Sequence, residues 1–267
     1  MQHTARAPGL VALACLGALS LPGVPQSPSS AASALAAARR AVSSADAPVL
    51  RSLRVLGTLF VNNTDGSKSS FPLELRFEIP SSYLRIERQA NFLAQSGFDG
   101  SRLLNDLRPY DASAQRTVHY ATDQIDVERA RMRRLLLGLG AIVTSDSVPE
   151  SIEREVVDGH PMTIVRLTDA RMKALRVGLG DKDHMPLVVI TTQSVRLPMS
   201  PAEAAAGGGP PQSQVLDLRQ WFEDRRVVKQ HRLPFLVRTV AGGVELERLV
   251  VASIDVNPTF GPRDFER

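Results

Sequence analysis

Hydrophobic and polar residues alternate along much of the chain, in short runs that end at turn-forming residues. The clearest run is residues 71–79, FPLELRFEI, in which Glu74, Arg76 and Glu78 stand between apolar side chains. Such alternation is typical of an antiparallel strand with one buried and one solvated face. A Pro-Ser-Ser turn leads into residues 83–88, which continue the pattern. The residues that we expect on the buried face are Leu73, Leu75, Phe77, Leu84 and Ile86.

Turn-forming dipeptides separate these runs along the rest of the chain. Pairs such as Asp-Gly and Gly-Gly readily adopt the positive φ angles that tight hairpin turns require. The five pairs are Asp65-Gly66, Asp99-Gly100, Asp158-Gly159, Glu223-Asp224 and Gly242-Gly243. Runs of β-type residues on both sides of each pair predict an antiparallel meander. The sequence does not show the regular alternation of strands and helices that a parallel nucleotide-binding sheet needs.

Two segments have helical periodicity, and one is a loop. Residues 33–47 are rich in Ala, with apolar residues on one face. Residues 124–140, QIDVERARMRRLLLGLG, combine an apolar face with several arginines and predict a helix that covers the sheet. Residues 198–214 hold three glycines and four prolines and predict a mobile loop inside the domain. The fold class is therefore α+β, mainly antiparallel β, with one continuous curved sheet covered by two or three helices.

Composition places the chain among ordinary globular proteins. It has 267 residues, of which 43% are hydrophobic and 22% charged, so residues 34–267 are expected to form a single domain. The formal net charge is +4, and no run of like charge reaches five residues. A nucleic-acid-binding stripe is therefore not expected. We expect a monomer.

The N-terminus has the organisation of an export signal. Residues 7–21 are apolar and are followed by a Pro- and Ser-rich stretch, so residues 1–26 predict a signal peptide that is cleaved between residues 20 and 33. The mature protein is then periplasmic or secreted. Cys15 is the sole cysteine, and an outer-membrane lipoprotein anchored through it is the alternative.

No constellation of residues with catalytic spacing is found in the sequence. The five histidines lack the spacing of zinc ligands, and no G-x-S-x-G or S-x-x-K motif is present. GLGDKD at residues 178–183 has two glycines and predicts a loop. Glu245 and Glu247 would share one face of a strand, either as an acid–base pair or, as alternation favours, on the solvated side. We expect a protein that is not an enzyme and has no metal and no cofactor.

Several stretches resemble the LolA/LolB-like lipoprotein-carrier superfamily. They include LRSLRVLGTLFV at 50–61, FEIPSSYLRIERQ at 77–89, SGFDGSRLL at 96–104, VDGHPMTIVRLTDA at 157–170 and most of residues 224–266. The last stretch also resembles terminal modules found beside some zinc peptidases, but the peptidase motif is missing here. The resemblance implies an open, strongly curved half-barrel closed by helices, with an apolar cavity that holds acyl chains.

On this resemblance, Leu73, Leu75, Phe77, Leu84 and Ile86 would line the ligand-binding concave face. Each could instead simply pack beneath the helices. The function implied is that of an exported binding or carrier protein for a lipid, a lipidated protein or another hydrophobic ligand. The alternatives are a protein-interaction or sensor module of the same fold, such as an envelope-stress or peptidase accessory protein, and a hydrolase with a scattered site. LolA-type carriers use a gating arginine, which the sequence does not single out.

Overall fold

The computed structural model describes residues 30–99, 102–110, 123–139, 147–169, 175–200, 202, 213–261 and 264–265. These residues form two helices and twelve strands. The helices are α1 (Ala31–Val42) and α2 (Asp123–Gly138). The strands are β1 (Ser52–Asn62), β2 (Lys68–Glu78), β3 (Ser82–Arg88), β4 (Phe92–Phe98), β5 (Leu103–Pro109), β6 (Ser147–Val157), β7 (His160–Asp169), β8 (Leu175–Gly180), β9 (Pro186–Arg196), β10 (Ser213–Val228), β11 (His231–Ala241) and β12 (Val244–Val256).

All twelve strands join one antiparallel sheet in the order β5-β4-β3-β2-β1-β12-β11-β10-β9-β8-β7-β6. The predicted antiparallel meander is confirmed, because consecutive strands pair throughout except β5 and β6, which form the two edges of the sheet. The pairing of β1 with β12 joins the two halves of the meander. The turn at Asp158-Gly159 has φ angles of 49° and 82°, and the turn at Gly242-Gly243 has 56° and 79°. These positive angles explain why Gly and Asp stand at these hairpin tips.

The sheet bends around α2. This helix contacts both β4 and β9, which lie seven positions apart in the sheet. In a flat sheet these strands would be about 34 Å apart, because neighbouring strands are spaced by about 4.8 Å. A helix of this length spans only about 24 Å. The predicted open, curved half-barrel is therefore confirmed. We call the face covered by α1 and α2 the inner face and the opposite one the outer face.

Helix α1 begins at a capping box, in which the Ser30 hydroxyl accepts from the backbone N–H of Ser33 and the Ser33 hydroxyl accepts from the backbone N–H of Ser30. Ala34 and Ala38 are fully buried, and such short side chains let the helix axis approach the sheet closely. Helix α2 contributes Met132 and three leucines to the same core as the inner-face residues of the strands, and Leu139, directly after the helix, joins them. Both predicted helices are present, and α1 ends five residues earlier than expected.

The expectation that all five apolar residues share one face is wrong for Leu84 and Ile86. In the register of β2 with β3, Leu84 lies opposite Arg76, and Ile86 lies opposite Glu74. Residues directly opposite each other in an antiparallel pair project to the same face. Leu84 and Ile86 therefore lie on the outer face, where they pack in a separate apolar cluster. A shift of one residue in register is enough to exchange the two faces.

The outer face beside β2 is also not the wet surface that alternation predicts. The carboxylate of Glu74 is almost fully buried and accepts hydrogen bonds from the Nε atoms of Arg54 at 2.9 Å and Arg76 at 2.8 Å. Arg76 also donates to the carboxylate of Asp264 at 3.1 Å. Part of the chain that follows β12 thus packs over this face and removes it from solvent.

Some sequence-based expectations fall outside the described residues. They are the signal peptide over residues 1–26, the lipidation of Cys15 and most of the loop over 198–214, of which only 198–200, 202 and 213–214 are described. Neither helix in the described part of the chain is long and apolar enough to cross a membrane.

Candidate ligand-binding cavity

A cavity of about 280 Å³ lies between α2 and the inner face of the sheet. One wall is aliphatic, because alternate residues of four adjacent strands and one residue of the helix face inward. These residues are Leu59, Leu73, Leu75, Val237, Leu249 and, on α2, Leu135. The predicted binding residues Leu73 and Leu75 line the cavity. Phe77 faces the same way but packs against the ring of Tyr83, with centroids 5.2 Å apart.

Charged side chains from both the sheet and the helix complete the lining. Arg85 comes from β3, Arg131 and Arg134 come from α2, and Glu247 comes from β12. The Nη2 atom of Arg85 lies 3.5 Å from Glu247 Oε1, and its Nε donates to Glu87. Strands β3 and β12 are not neighbours in the sheet, so the curvature of the sheet brings this pair together.

A β-bulge directs Glu247 into the cavity. Thr239 pairs with Glu247 and Val240 pairs with Glu245, which leaves Leu246 as an extra residue in β12. An extra residue reverses the face to which the following side chains point. Glu245 therefore lies on the outer face, where it accepts from Arg248, and Glu247 lies on the inner face. The expectation that the two glutamates share a solvated face is wrong.

The charges in the cavity act strongly on one another. Burial raises the pKa of the Glu247 carboxyl, but the positive charges of Arg85, Arg131 and Arg134 outweigh it, so its pKa lies below the ordinary value. Burial and the neighbouring Arg131 together lower the pKa of Arg134 to about 10. Both groups are therefore charged at neutral pH.

Several buried polar atoms around the cavity lack a hydrogen-bond partner among the described residues. Two belong to lining residues, namely Nε of Arg134 and Oε1 of Gln220. The hydroxyl of Tyr83 and one carboxylate oxygen of Glu128 lie beside the same arginines and are also unpaired. Native interiors rarely leave such groups unsatisfied, so these atoms mark a place for polar ligand atoms or water.

The cavity opens to solvent at the end of β9. Ser194 and Arg196 line it and are exposed, whereas Val195 between them is buried. The cavity combines an aliphatic wall with a cluster of charges and is open at one end. Such a site suits a molecule with an apolar part and a polar part.

Sequence reasoning missed Arg85, Arg134 and Glu247. Arg85 stands between Leu84 and Ile86, in a position that alternation assigns to the solvated face, and the register of β3 reverses that assignment. Arg134 precedes the leucines of α2, and the sequence pattern does not distinguish it from the other arginines of that helix. Among the described residues, no cluster of three or more His, Cys, Asp and Glu side chains could hold a metal ion.

Solved structures provide the relevant comparisons. No family model matches the sequence. No curated protein sequence matches it significantly. A LolA superfamily protein from Nitrosomonas europaea superimposes with a TM-score of 0.55 over 89% of this chain and 98% of that chain, at 12% sequence identity. The chain has a LolA-type fold.

Two further structures agree on this fold. A Vibrio parahaemolyticus domain described as an outer membrane lipoprotein-sorting protein gives a TM-score of 0.51 at 10% identity, covering 88% of this chain and 97% of that chain. A DUF1329 family protein from Desulfovibrio piger gives 0.50 at 11% identity, covering 88% and 97%. At these identities the likeness establishes the LolA-type fold. The function must be argued from the cavity.

Proposed function

We propose that this protein is an exported, non-enzymatic binding or carrier protein for a lipid, a lipidated protein or another hydrophobic ligand. The observation that carries the proposal is the cavity between the aliphatic inner face and α2. A core that α1 and α2 filled completely would leave no such space. The lipoprotein-sorting role named for one structural neighbour supports the same class of ligand.

The arrangement of the two helices supports the proposal. Helix α1 packs against β6, β7 and β11, whereas α2 packs against β4, β9 and β10. Gly138 of α2 lies against the ring of Phe222, so the C-terminal end of α2 is in close contact with the sheet. Arg131, Arg134 and Leu135 of α2 line the cavity together with residues of β9 and β12. The cavity therefore lies under a helix whose C-terminal end is held against the sheet.

Filling the aliphatic wall should abolish binding of an apolar ligand. In Val237→Phe, the larger ring occupies the space between Val237 and Leu135, whereas Val250→Phe adds the same ring on the exposed outer face of the adjacent strand. Native mass spectrometry should detect lipid that co-purifies with the natural protein and with Val250→Phe. Much less lipid should co-purify with Val237→Phe.

Thermal unfolding in the presence of dodecanoate provides the quantitative measurement. A ligand at one hundred times its Kd adds about 2.7 kcal/mol to the free energy of unfolding. The midpoint should therefore rise for the natural protein and for Val250→Phe, and stay unchanged for Val237→Phe. Absence of both co-purified lipid and a midpoint shift in the natural protein would overturn the carrier role and leave the protein-interaction module as the next hypothesis.

Export is the second part of the proposal, and the apolar segment over residues 7–21 supports it. N-terminal sequencing of the natively expressed protein should find a mature chain that begins between residues 21 and 34. An intact Met1 would contradict export. A diacylated Cys15 as the first residue would instead show a membrane-anchored lipoprotein.

A further inference from the structure

We propose that the ligand of this cavity is a single-chain amphiphile with an anionic head group, which Arg134 and Arg131 bind while the alkyl chain lies along the aliphatic wall. This inference rests on the proposed function and specifies the chemistry of the ligand. It concerns charged residues that the sequence and the fold comparisons did not assign to any role.

The charge of the cavity lining favours an anion. Four arginines line it, namely Arg85, Arg131, Arg134 and, at the open end, Arg196, against the one carboxylate of Glu247. A buried excess of positive charge is costly unless an anion compensates it. Glu87 and Glu128, which do not line the cavity, pair with Arg85 and Arg131, and Glu247 is shared by three of the arginines. Among the described residues, Arg134 is therefore the buried arginine without a carboxylate of its own, and an anionic ligand would supply one.

Arg134 is the residue with the greatest need for such a partner. Arg85 donates to Glu87 at 2.5 Å, and Arg131 donates to Glu128 at 2.7 Å. Arg134 is only 8% exposed, and its Nε has no hydrogen-bond partner among the described residues. It lies one turn after Arg131 on α2, so the two guanidinium groups face the same space. Guanidinium groups bind carboxylates and phosphates through directional, charge-assisted hydrogen bonds.

The size and the polarity of the cavity favour one alkyl chain. Its volume of about 280 Å³ lies near the lower limit of small-molecule sites, which is too small for several acyl chains. Leu73, Leu75 and Leu249 supply a continuous apolar surface on the sheet side, opposite the arginines of α2. A small free anion would leave this surface without a partner, and an uncharged chain would leave Nε of Arg134 without a charged hydrogen-bond acceptor.

Calorimetric titration with three amphiphiles of equal chain length tests the head group. The probes are dodecanoate, dodecanol and dodecyltrimethylammonium, with inorganic phosphate as an anion that lacks a chain. We expect dodecanoate to bind at least about tenfold more tightly than dodecanol, because hydrogen bonds between charged groups are stronger than neutral ones. The cationic amphiphile and phosphate should bind more weakly than dodecanol.

Variants locate the head group. Arg134→Gln should remove the preference for dodecanoate and leave the affinity for dodecanol unchanged within about twofold. Arg134→Lys should retain part of the preference, because it keeps the charge but lacks the planar donors of the guanidinium group. Arg248→Gln is the matched control, because Arg248 follows Glu247 in the chain and is exposed on the other side of the sheet. It should behave as the natural protein does. Thermal midpoints without ligand establish that each variant is folded.

Each other outcome overturns a defined part of this inference. Equal binding of dodecanoate and dodecanol leaves the proposed function intact and overturns the anionic head group. A preference for dodecanoate that persists in Arg134→Gln overturns the assignment to Arg134. Tight binding of phosphate alone would show a small-anion site. Binding of neither dodecanoate nor dodecanol overturns the proposed function together with the inference.

Discussion

At the scale of single residues, Glu74 shows how a charged side chain can belong to the interior of this protein. It is 1% exposed and accepts hydrogen bonds from Arg54 and Arg76, with Arg88 at 3.3 Å. Glu74→Gln should lower the free energy of unfolding by about 1–3 kcal/mol, because hydrogen bonds to a charged group are lost. Glu78→Gln, an exposed neighbour on the same strand, should change it by less than about 0.5 kcal/mol. Urea unfolding of both variants measures the difference, and equal effects would contradict the buried ion cluster.

The lowered pKa of Glu74 predicts that the free energy of unfolding depends on pH. Burial raises the pKa of Glu74, but Arg76 and Arg54 lower it more, so the folded-state pKa lies below 4.5. The unfolded chain then binds more protons than the folded one as the carboxyl titrates. The stabilisation from Glu74 is fully present above about pH 4.5 and is lost as the pH falls through the folded-state pKa. In Glu74→Gln, unfolding should depend less on pH between neutral and this acidic range.

At the scale of elements, helix α2 docks on the sheet through a glycine. A Cβ atom at Gly138 would lie 2.0 Å from the ring of Phe222, which is itself buried. Arg225 also donates to the carbonyl of Gly138 at 3.0 Å and so holds the end of the helix against the sheet. Gly138→Ala should therefore destabilise the protein by about 1–3 kcal/mol, although helix propensity alone would stabilise it by about 1 kcal/mol.

A double-mutant cycle checks whether the contact with Phe222 is the cause. In a Phe222→Leu background, the smaller side chain relieves the clash, and Gly138→Ala should cost less than it does in the natural protein. Chemical denaturation supplies the four free energies. Stabilisation by Gly138→Ala in the natural background would mean that α2 does not lie against Phe222.

At the scale of the whole molecule, the two faces of the sheet have different roles. The inner face carries the cavity, and the outer face at β2 to β5 is covered by a segment that follows β12. Phe265 packs there with Leu84, Ile86 and Leu104. Phe265→Ala should lower the free energy of unfolding by about 3 kcal/mol, and Phe60→Ala, at an exposed outer-face position, by less than about 1 kcal/mol. Because the cavity lies on the other face, the affinity of Phe265→Ala for dodecanoate should be unchanged. A large loss of affinity would show that the two faces are coupled.

The elements could be predicted from the sequence wherever the signal is local. Alternation over residues 71–79, the Asp-Gly and Gly-Gly turns and the apolar periodicity of the two helices depend on residues a few positions apart. The sequence does not predict strand β8 (Leu175–Gly180), and the loop expected over GLGDKD at 178–183 is confined to residues 181–183, because residues 178–180 complete the strand. In the folded protein Val188 and Met162 occupy the space beside Gly178, which long-range packing alone could reveal.

The sequence by itself determined the antiparallel meander, most of its hairpins and the aliphatic character of Leu73 and Leu75, because periodicity and turn chemistry act within one or two elements. The turn expected at Glu223-Asp224 is wrong, since β10 continues to Val228 and the chain turns after it. The tertiary structure alone decided which side chains of β3 and of the end of β12 near its bulge face the cavity. The register of β3 moved Leu84 and Ile86 to the outer face, and the bulge at Leu246 turned Glu247 inward. The tertiary structure also decided the chemistry of the cavity. Arg85, Arg134 and Glu247 lie far apart in the chain, and they meet because the sheet curves around α2.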